Sequence, residues 1–414
     1  MNLTKKRWLV LVSSCIINLC IGSIYAWSVF SSPLAEHINA LRGTALTAGD
    51  LSIVFTVYNA VVPFIVLFGG AIDDRIGPKP LAIIGAVLFG AGTILSGFAR
   101  SVGMLVVTYG LMCGVGINLC YVCSVSNTVK LFPDRRGLAS GLVTATYGLS
   151  SVIVSMAASY MIDKSGITRT LTVLGVIYAA AILICAIFQC RVPQGFKPDG
   201  YDPAGSVNAG GNDHDENWVE MLHDARFYPM IMLMFCATFF GTMVISQAAP
   251  IGRETVGMSA TAAAAAVSIL AVFNAAGRIG AGTVSDRIGS VNTMTAALFC
   301  ALGGLALLFF TGTGQTVLYY GGMALVGLAY GAFMSILPGF NVDTFGQAHS
   351  AVNYGVLDIG YAAAGIIGPL LVSGVHASTG SYRGAFLIAA GIALVGVAMT
   401  FIFRALVHKR ILKK

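Results

Sequence analysis

Long apolar stretches recur throughout this sequence, and they constrain the fold more than any other feature. Runs of about 20 residues are each long enough to cross roughly 30 Å of hydrocarbon as a helix. Only 10% of the 414 residues are charged and 57% are hydrophobic, whereas a soluble domain carries roughly 25% charged residues. We therefore predict an all-α polytopic membrane protein with twelve transmembrane helices, over residues 8–32, 51–72, 80–99, 103–128, 137–160, 169–190, 227–249, 260–284, 291–311, 315–338, 350–375 and 383–407.

The polar segments between these spans indicate how the chain is organised. Residues 191–226 are the one long polar segment, and their prolines, glycines and acidic run cannot bury a core. We predict that they form a cytoplasmic linker between a six-helix bundle over 1–190 and a second over 227–414. Lysine and arginine are concentrated on the same side as the amino terminus, so both termini are expected in the cytoplasm. The expected location is the cell (inner or cytoplasmic) membrane.

A short charged turn occurs twice, at equivalent places in the two predicted bundles. The pattern is Gly-x-x-x-Asp-Arg-x-Gly, and it begins at Gly70 and again at Gly282. Each copy closes an apolar span, which indicates that the two bundles are related halves of one internal repeat. The charged members of the two copies are Asp74, Arg75, Asp286 and Arg287.

Twelve helices in two sets of six, a central cytoplasmic linker and this repeated turn resemble the major facilitator superfamily over essentially the whole chain. The resemblance implies a transporter made of two pseudo-symmetric six-helix bundles. It also implies a gating role for the turns: the aspartate would cap a neighbouring helix end, and the arginine would pair across the turn. A purely topological role for the positive charges is the alternative.

A narrower set of motifs is similar to the oxalate/formate antiporter family. The motifs are Tyr25-Ala26-Trp27, Asn118 to Tyr121 followed by Phe132-Pro133-Asp134-Arg135-Arg136-Gly137, and Asn353-Tyr354-Gly355. The resemblance implies that Arg278, in the eighth span, is the arginine that binds substrate. The family's second cation, a lysine in the eleventh span, falls at Tyr361 in this sequence, which leaves one cation fewer for a dicarboxylate. The sequence also resembles, more distantly, the animal monocarboxylate transporters, and this resemblance implies that the arginine in the eighth span binds a single carboxylate.

Counting residues along the spans places a group of polar side chains near the middle of the membrane, independently of any family. At 1.5 Å per residue, Arg278 and Asp358 lie about 9 Å and about 12 Å from the cytoplasmic ends of their predicted spans. Midplane positions of this kind are where secondary transporters bind substrate. By the same count four phenols lie about 10–17 Å from the cytoplasmic ends of their spans: Tyr121, Tyr147, Tyr330 and Tyr361.

These residue types suit a small organic anion. A guanidinium matches a carboxylate with two parallel hydrogen bonds, and phenols add neutral donors and apolar ring faces. Asn274 lies one helical turn before Arg278 and would orient the guanidinium or touch substrate. Asn118 would line the same cavity or bond across helices. Tyr25 would contact substrate or belong to an aromatic belt at the outer membrane interface.

Asp358 is the one acidic residue within the predicted spans. We expect it to form an ion pair with Arg278 in the empty protein, and a substrate carboxylate would compete for the same cation. Asp358 would then take up a proton, which would link protonation to anion binding. The alternative is that the two residues form a structural pair that never meets substrate.

Together these features predict a secondary active transporter of small organic anions, in the lactate, pyruvate or formate class, that works by alternating access with proton symport. Two alternatives stay open: an oxalate/formate-type anion exchanger, and a membrane carboxylate sensor that does not transport. We expect no enzyme activity, catalytic residue, metal or cofactor, because no nucleophile–base or metal-ligand set converges in the sequence. The net charge of +7 is explained by topology rather than by nucleic acid. The expected partners are the anion, a proton and the lipid bilayer, with the protein as a monomer.

Overall fold

The computed structural model describes residues 3–47, 50–193, 195–200 and 215–411, and these ranges are helical with no strand. The side chains of a few residues within helices, Tyr25 among them, lie outside the description. A 3₁₀ turn over Gly22–Ala26 separates the first two helices, and a π-helical turn over Val106–Cys113 separates the fifth from the sixth. The helices are α1 (Leu3–Ile21), α2 (Trp27–Arg42), α3 (Ser52–Ile76), α4 (Pro78–Ser96), α5 (Val102–Leu105), α6 (Gly114–Leu131), α7 (Arg136–Phe188), α8 (Trp218–His223), α9 (Phe227–Val256), α10 (Ala260–Ile288), α11 (Ser290–Phe310), α12 (Thr316–Phe345), α13 (Ser350–Thr379) and α14 (Arg383–Ile411).

Most of these helices are long and apolar enough to cross a membrane. In the described part of the chain ten spans pass that test singly, and the two bent parts of α3, Ser52–Val62 and Phe64–Ile76, together add an eleventh. α7 is 53 residues long, which would measure about 80 Å as one straight helix. Its backbone leaves helical geometry at Gly166, with φ 75° and ψ 167°, so α7 contains two spans. The described residues therefore fit the predicted all-α membrane fold of twelve spans.

A glycine with positive φ ends both copies of the repeated turn. α3 stops before Gly77, which has φ 87°, and α10 stops before Gly289, which has φ 90°. A residue with a Cβ rarely adopts this backbone conformation, so the final glycine of the pattern is needed at the point where the chain reverses. The next helix begins at once in each case, at Pro78 and at Ser290. Each copy of the repeat is thus a tight helix–helix turn.

Several helices extend beyond their predicted spans, and some of the extensions carry acidic residues. α3 continues past residue 72 and includes Asp73 and Asp74. α12 continues past residue 338 and includes Asp343. Asp358 is the one acidic residue within the predicted spans, but the observed helices carry further acidic residues near their ends. Hydropathy marks the apolar part of a helix, whereas helical backbone hydrogen bonding continues until the chain turns.

The chain divides into two compact units, each assembled from separate stretches. The first unit comprises Met1–Leu131, Thr146–Asp199 and Ser350–Gly355. The second comprises Phe132–Ala145, Gly200–His349 and Val356–Lys414. The start of α7 therefore belongs to the second unit, and the first turn of α13 belongs to the first. The division of the chain into bundles over 1–190 and 227–414 stays a prediction.

α12 is the central helix of the second unit. It is buried along most of its length and packs against α9, α10 and α11. Glycines bring the backbones of α10 and α12 together, since Gly277 lies against the main chain of Leu328 and Gly327 against that of Leu270. Close packing of this kind holds helices together in a membrane, where burial of apolar surface between helices supplies little driving force.

The end of the predicted linker is ordered against the second unit. Asn217 and Glu220 form a capping box at the start of the short helix α8, which the sequence analysis did not predict. The carboxylate of Asp215 accepts hydrogen bonds from the main-chain nitrogens of Gln347 and Ala348, at 2.6 and 3.0 Å. This part of the linker is therefore anchored beside the turn between α12 and α13. Residues 201–214 lie outside the described part of the chain.

Candidate functional site

Arg278 is a buried cation deep within α10. The Ser259 side chain caps the start of this helix by accepting a hydrogen bond from the Ala262 nitrogen at 3.2 Å. The helix ends at Ile288, ten residues after Arg278, which corresponds to about 15 Å along its axis. Only 5% of Arg278 is exposed. The structure thus places an ionisable side chain well inside a membrane-length helix, where such a group needs a compensating partner.

Two neutral oxygen atoms orient the guanidinium of Arg278. Its Nε atom donates to Oδ1 of Asn274 at 2.8 Å, one turn earlier in α10. Its Nη1 atom donates to the main-chain carbonyl of Thr144, near the start of α7, at 2.7 Å. No described residue forms a salt bridge with Arg278 or accepts a hydrogen bond from its Nη2 group. Arg278 therefore keeps an uncompensated positive charge and unused donors.

Asp358 is a buried carboxyl group on α13, with 8% of the residue exposed. Within the described ranges it has neither an ion pair nor a hydrogen bond. The expected ion pair between Arg278 and Asp358 is therefore wrong for this structure. Asn274 and the Thr144 carbonyl take the place that was assigned to the carboxylate. Burying a carboxylate without a partner is costly, so a position of this kind indicates a role beyond packing.

Three phenols cluster in the first unit. The hydroxyl oxygens of Tyr58 and Tyr147 are 3.4 Å apart, and the rings of Tyr121 and Tyr147 meet edge to face with centroids 5.5 Å apart. Tyr121 and Tyr147 were predicted from the sequence, whereas Tyr58 was not, although it too is a phenol within an apolar span. Asn118 is 5% exposed and donates to the carbonyl of Gly114 at 2.8 Å, within its own helix.

The remaining predicted tyrosines have different surroundings. Tyr330 on α12 is 5% exposed, and its ring lies against Gly241 of α9. Tyr361 on α13 is half-buried and lies three residues after Asp358, hence on the same helix face. The side chain of Tyr25 lies outside the described part of the structure.

The second repeated turn caps the start of α7. The carboxylate of Asp286 accepts hydrogen bonds from the main-chain nitrogens of Gly137 and Leu138, at 2.8 and 2.9 Å. A carboxylate at a helix N-terminus satisfies N–H groups that have no partner within the helix, and it interacts favourably with the helix dipole. Arg287 is exposed, and no residue in the described ranges pairs with it.

The first repeated turn makes an equivalent set of contacts. The carboxylate of Asp74 accepts a hydrogen bond from a main-chain nitrogen in the first turn of α13 at 3.2 Å, and it pairs with Lys130 at 2.7 Å. Arg75 is exposed and has no ion pair or hydrogen bond within the described part of the chain. The expectation that the arginines pair across both turns is therefore wrong. Lys130 pairs with Asp74, and Arg136 pairs with Asp343.

The arrangement offers binding chemistry. The second unit combines an oriented buried cation, a buried carboxyl group and the phenols of Tyr330 and Tyr361. In the described ranges, no group of three or more histidine, cysteine, aspartate or glutamate side chains is placed to hold a metal ion.

Comparison with known proteins assigns the chain to a family. The sequence model of the Major Facilitator Superfamily matches residues 11–369. The chain belongs to this superfamily. Two solved structures share its fold at 13% sequence identity. FucP in the outward conformation has a TM-score of 0.75, with 96% of this chain and 99% of that one covered. The human organic anion transporter MFSD10 (TETRAN) has a TM-score of 0.71, with 95% and 99% covered. The predicted fold class is confirmed.

Sequence relatives of this superfamily member include carboxylate transporters. The oxalate:formate antiporter of Oxalobacter formigenes is 29% identical over 403 residues, which cover 97% of this chain and 92% of that protein. The uncharacterized MFS-type transporter YhjX of Escherichia coli (strain K12) is 25% identical over 366 residues, which cover 88% and 87%. Mouse monocarboxylate transporter 11 is 30% identical over 171 residues, which cover 41% and 37%. The resemblance to these families is confirmed, and the chain is a multi-pass membrane transporter.

Proposed function

We propose that this protein is a secondary active transporter of small organic anions, with monocarboxylates such as lactate, pyruvate or formate as substrates. The observation that carries the proposal is the buried guanidinium of Arg278, whose charge is not compensated by any described acidic residue. An unpaired buried charge costs several kcal/mol, order of magnitude, so the site favours an anion. The unused Nη2 donors beside Nη1 offer the planar fork that a carboxylate matches with two hydrogen bonds.

The relatives support carboxylates as the substrate class. The oxalate:formate antiporter aligns with nearly the whole chain, and monocarboxylate transporter 11 aligns with part of it. A phenol, Tyr361, stands where the resemblance to the antiporter family would place a second cation. One cation balances one carboxylate, which favours a monoanion over a dianion.

Charge balance supports Asp358 as the group that carries a coupled proton. When the protein is empty, a cationic Arg278 and an anionic Asp358 sum to zero. When an anion is bound and Asp358 is protonated, the sum is zero again. A protein loaded with only one of the two ligands carries an uncompensated charge, which is unfavourable in a medium of low dielectric constant. Alternating access is then favoured for the empty and the fully loaded protein, which is the requirement for symport.

An oxalate/formate-type exchanger is the second candidate, and the 29% identity to the oxalate:formate antiporter over 403 residues favours it. In an exchanger only the protein loaded with anion interconverts between its two open forms. Asp358 would then stay protonated throughout the cycle. Accumulation of substrate on an imposed pH gradient separates the two mechanisms.

The experiment that tests the proposal compares two arginine substitutions in α10, by uptake of labelled lactate into proteoliposomes. Arg278→Lys keeps the charge but removes the planar fork, and we expect it to lose uptake by roughly tenfold or more. Arg287→Lys is the matched control, since Arg287 is exposed on the same helix, and it should transport at the wild-type rate. Wild-type uptake by Arg278→Lys would contradict the binding role. Binding of lactate without uptake by the wild-type protein would favour a sensor.

A further inference from the structure

The main chain of Arg278 is held between two glycines from two different helices. Gly331 of α12 faces the carbonyl of Asn274 and the amide nitrogen of Arg278. Gly141 of α7 faces the carbonyl of Arg278. A Cβ at either glycine would lie under 3.0 Å from a main-chain atom of this turn, so a larger residue would force α10 to move. Only glycine lets helix backbones approach so closely.

These two glycines end two copies of one short motif, with the sequence GLAxG. Each copy has glycines four residues apart, which is the spacing that puts small residues on one helix face. The first glycine of each copy contacts α10 farther along that helix: Gly137 lies against Gly282, one turn after Arg278, and Gly327 lies against Leu270, about two turns before it. α10 is therefore packed closely against both α7 and α12. The copies are GLASG over residues 137–141 and GLAYG over residues 327–331.

We propose that Gly331 and Gly141 are positioning residues that fix the direction of the Arg278 guanidinium, and through it the preference for a planar carboxylate over other monovalent anions. The inference rests on the proposed role of Arg278 as the anion-binding residue. The two glycines set where the helix turn that carries the guanidinium lies. Nothing in the proposed function itself requires either of them.

The two oxygen atoms that accept hydrogen bonds from the guanidinium lie close to the same two glycine contacts. The Thr144 carbonyl that accepts from Nη1 lies three residues after Gly141 on α7. The Asn274 residue whose side chain accepts from Nε presents its own main-chain carbonyl to Gly331. A displacement of α10 therefore moves the guanidinium relative to both oxygens at once. Misplacement of a binding group by about 1 Å can cost up to about a hundredfold in function.

The test compares alanine substitutions in two matched pairs. Gly331→Ala is compared with Gly327→Ala, and Gly141→Ala with Gly137→Ala, because the two members of each pair disturb the same interface one turn apart. Gly148→Ala on α7 is the baseline, since a Cβ there would meet nothing within 4 Å. The Kd values of acetate and methanesulfonate are measured by calorimetry on the purified full-length protein, together with Tm. Both probes are monovalent and carry one methyl group, but only acetate presents a planar carboxylate.

We expect the wild-type protein to bind acetate more tightly than methanesulfonate. Gly331→Ala and Gly141→Ala should lose that preference by about tenfold, whereas Gly327→Ala and Gly137→Ala keep it despite a similar fall in Tm. An equal change of the preference within each pair, or failure of all four variants to fold, would overturn the inference, because the glycines would then serve helix packing alone. Absence of acetate binding by the wild-type protein would instead overturn the proposed function, and this inference with it.

Discussion

Individual charged residues in this protein differ in whether a partner compensates them. Lys130 is bridged to Asp74 at 2.7 Å, whereas Arg278 and Asp358 have no ion pair within the described part of the chain. A paired charge is explained by the contact it makes between helices. A buried charge without a partner is costly to fold, so its presence indicates a role in binding or proton transfer.

Asp358→Asn is expected to separate exchange from accumulation. Asparagine resembles the protonated carboxyl group, so the loaded protein stays neutral and counterflow of lactate should continue. The empty variant keeps the charge of Arg278 without balance, so return of the empty protein is disfavoured and accumulation driven by a pH gradient should be lost. Asp163→Asn, at an exposed position, is the control. If Asp358→Asn still concentrates lactate on an imposed pH gradient, Asp358 does not carry the coupled proton.

Tyr361→Lys is expected to move substrate preference toward dicarboxylates. A lysine would supply a second positive charge on the helix face that carries Asp358, and a dianion would then leave no carboxylate unpaired. Competition of oxalate against labelled lactate uptake measures the change. Tyr320→Lys, at another partly buried tyrosine, controls for the added charge. An unchanged ratio of oxalate to lactate affinity in Tyr361→Lys would contradict the prediction.

The sequence could indicate Arg278 and Asn274, but not the main-chain oxygen that accepts the second hydrogen bond of the guanidinium. An arginine within an apolar run is visible in a sequence, and Asn274 follows from helical spacing. The Thr144 carbonyl is 134 residues away in the chain and is a main-chain atom, which no residue type identifies. The same limitation explains the wrong expectation about Asp358. Depth within a span does not determine which way a side chain points around the helix.

Among the helices, the contact between Asp286 and the start of α7 is expected to stabilise the second unit. Asp286→Ala removes the acceptor for two main-chain N–H groups, and loss of a helix cap costs about 0.5–2 kcal/mol. A fall in Tm of the purified protein measures the loss. Arg287→Ala, which removes an exposed charge on the next residue, should lower Tm by less, since only its interaction with the helix dipole is lost. Equal Tm values for the two variants would show that the cap contributes nothing.

The helices themselves were largely predictable, and the ends of the helices were not. Apolar length predicted the spans, because a membrane helix must keep its backbone hydrogen bonds within itself. Residues 137–160 and 169–190 were predicted as two separate spans. The break in helical geometry at Gly166, within α7, lies between them and agrees with that prediction. The short helix α8 was missed, since a six-residue helix fixed by a capping box carries no hydropathy signal. The arginines of the repeated turns were expected to pair, but both are exposed in the last turn of a helix, where a cation interacts favourably with the helix dipole.

For the protein as a whole, we propose that the one buried cation of the site binds one carboxylate at a time. A monocarboxylate bound to Arg278 leaves no charge unpaired. Oxalate would place a second carboxylate in the same low-dielectric surroundings, and an unpaired buried charge costs several kcal/mol, order of magnitude. Monoanions should therefore be preferred, even though the oxalate:formate antiporter is similar to this chain over nearly its whole length.

Counterflow in proteoliposomes tests this claim most directly. Vesicles that contain the purified protein are loaded with formate, lactate, pyruvate or oxalate, and the entry of labelled lactate is followed after dilution. We predict that each monocarboxylate drives entry of the label and that oxalate drives it at least about tenfold more slowly. Vesicles with Arg278→Lys should show little counterflow with any of the four. Faster counterflow with oxalate than with every monocarboxylate would contradict the account and assign the protein to the oxalate/formate exchangers.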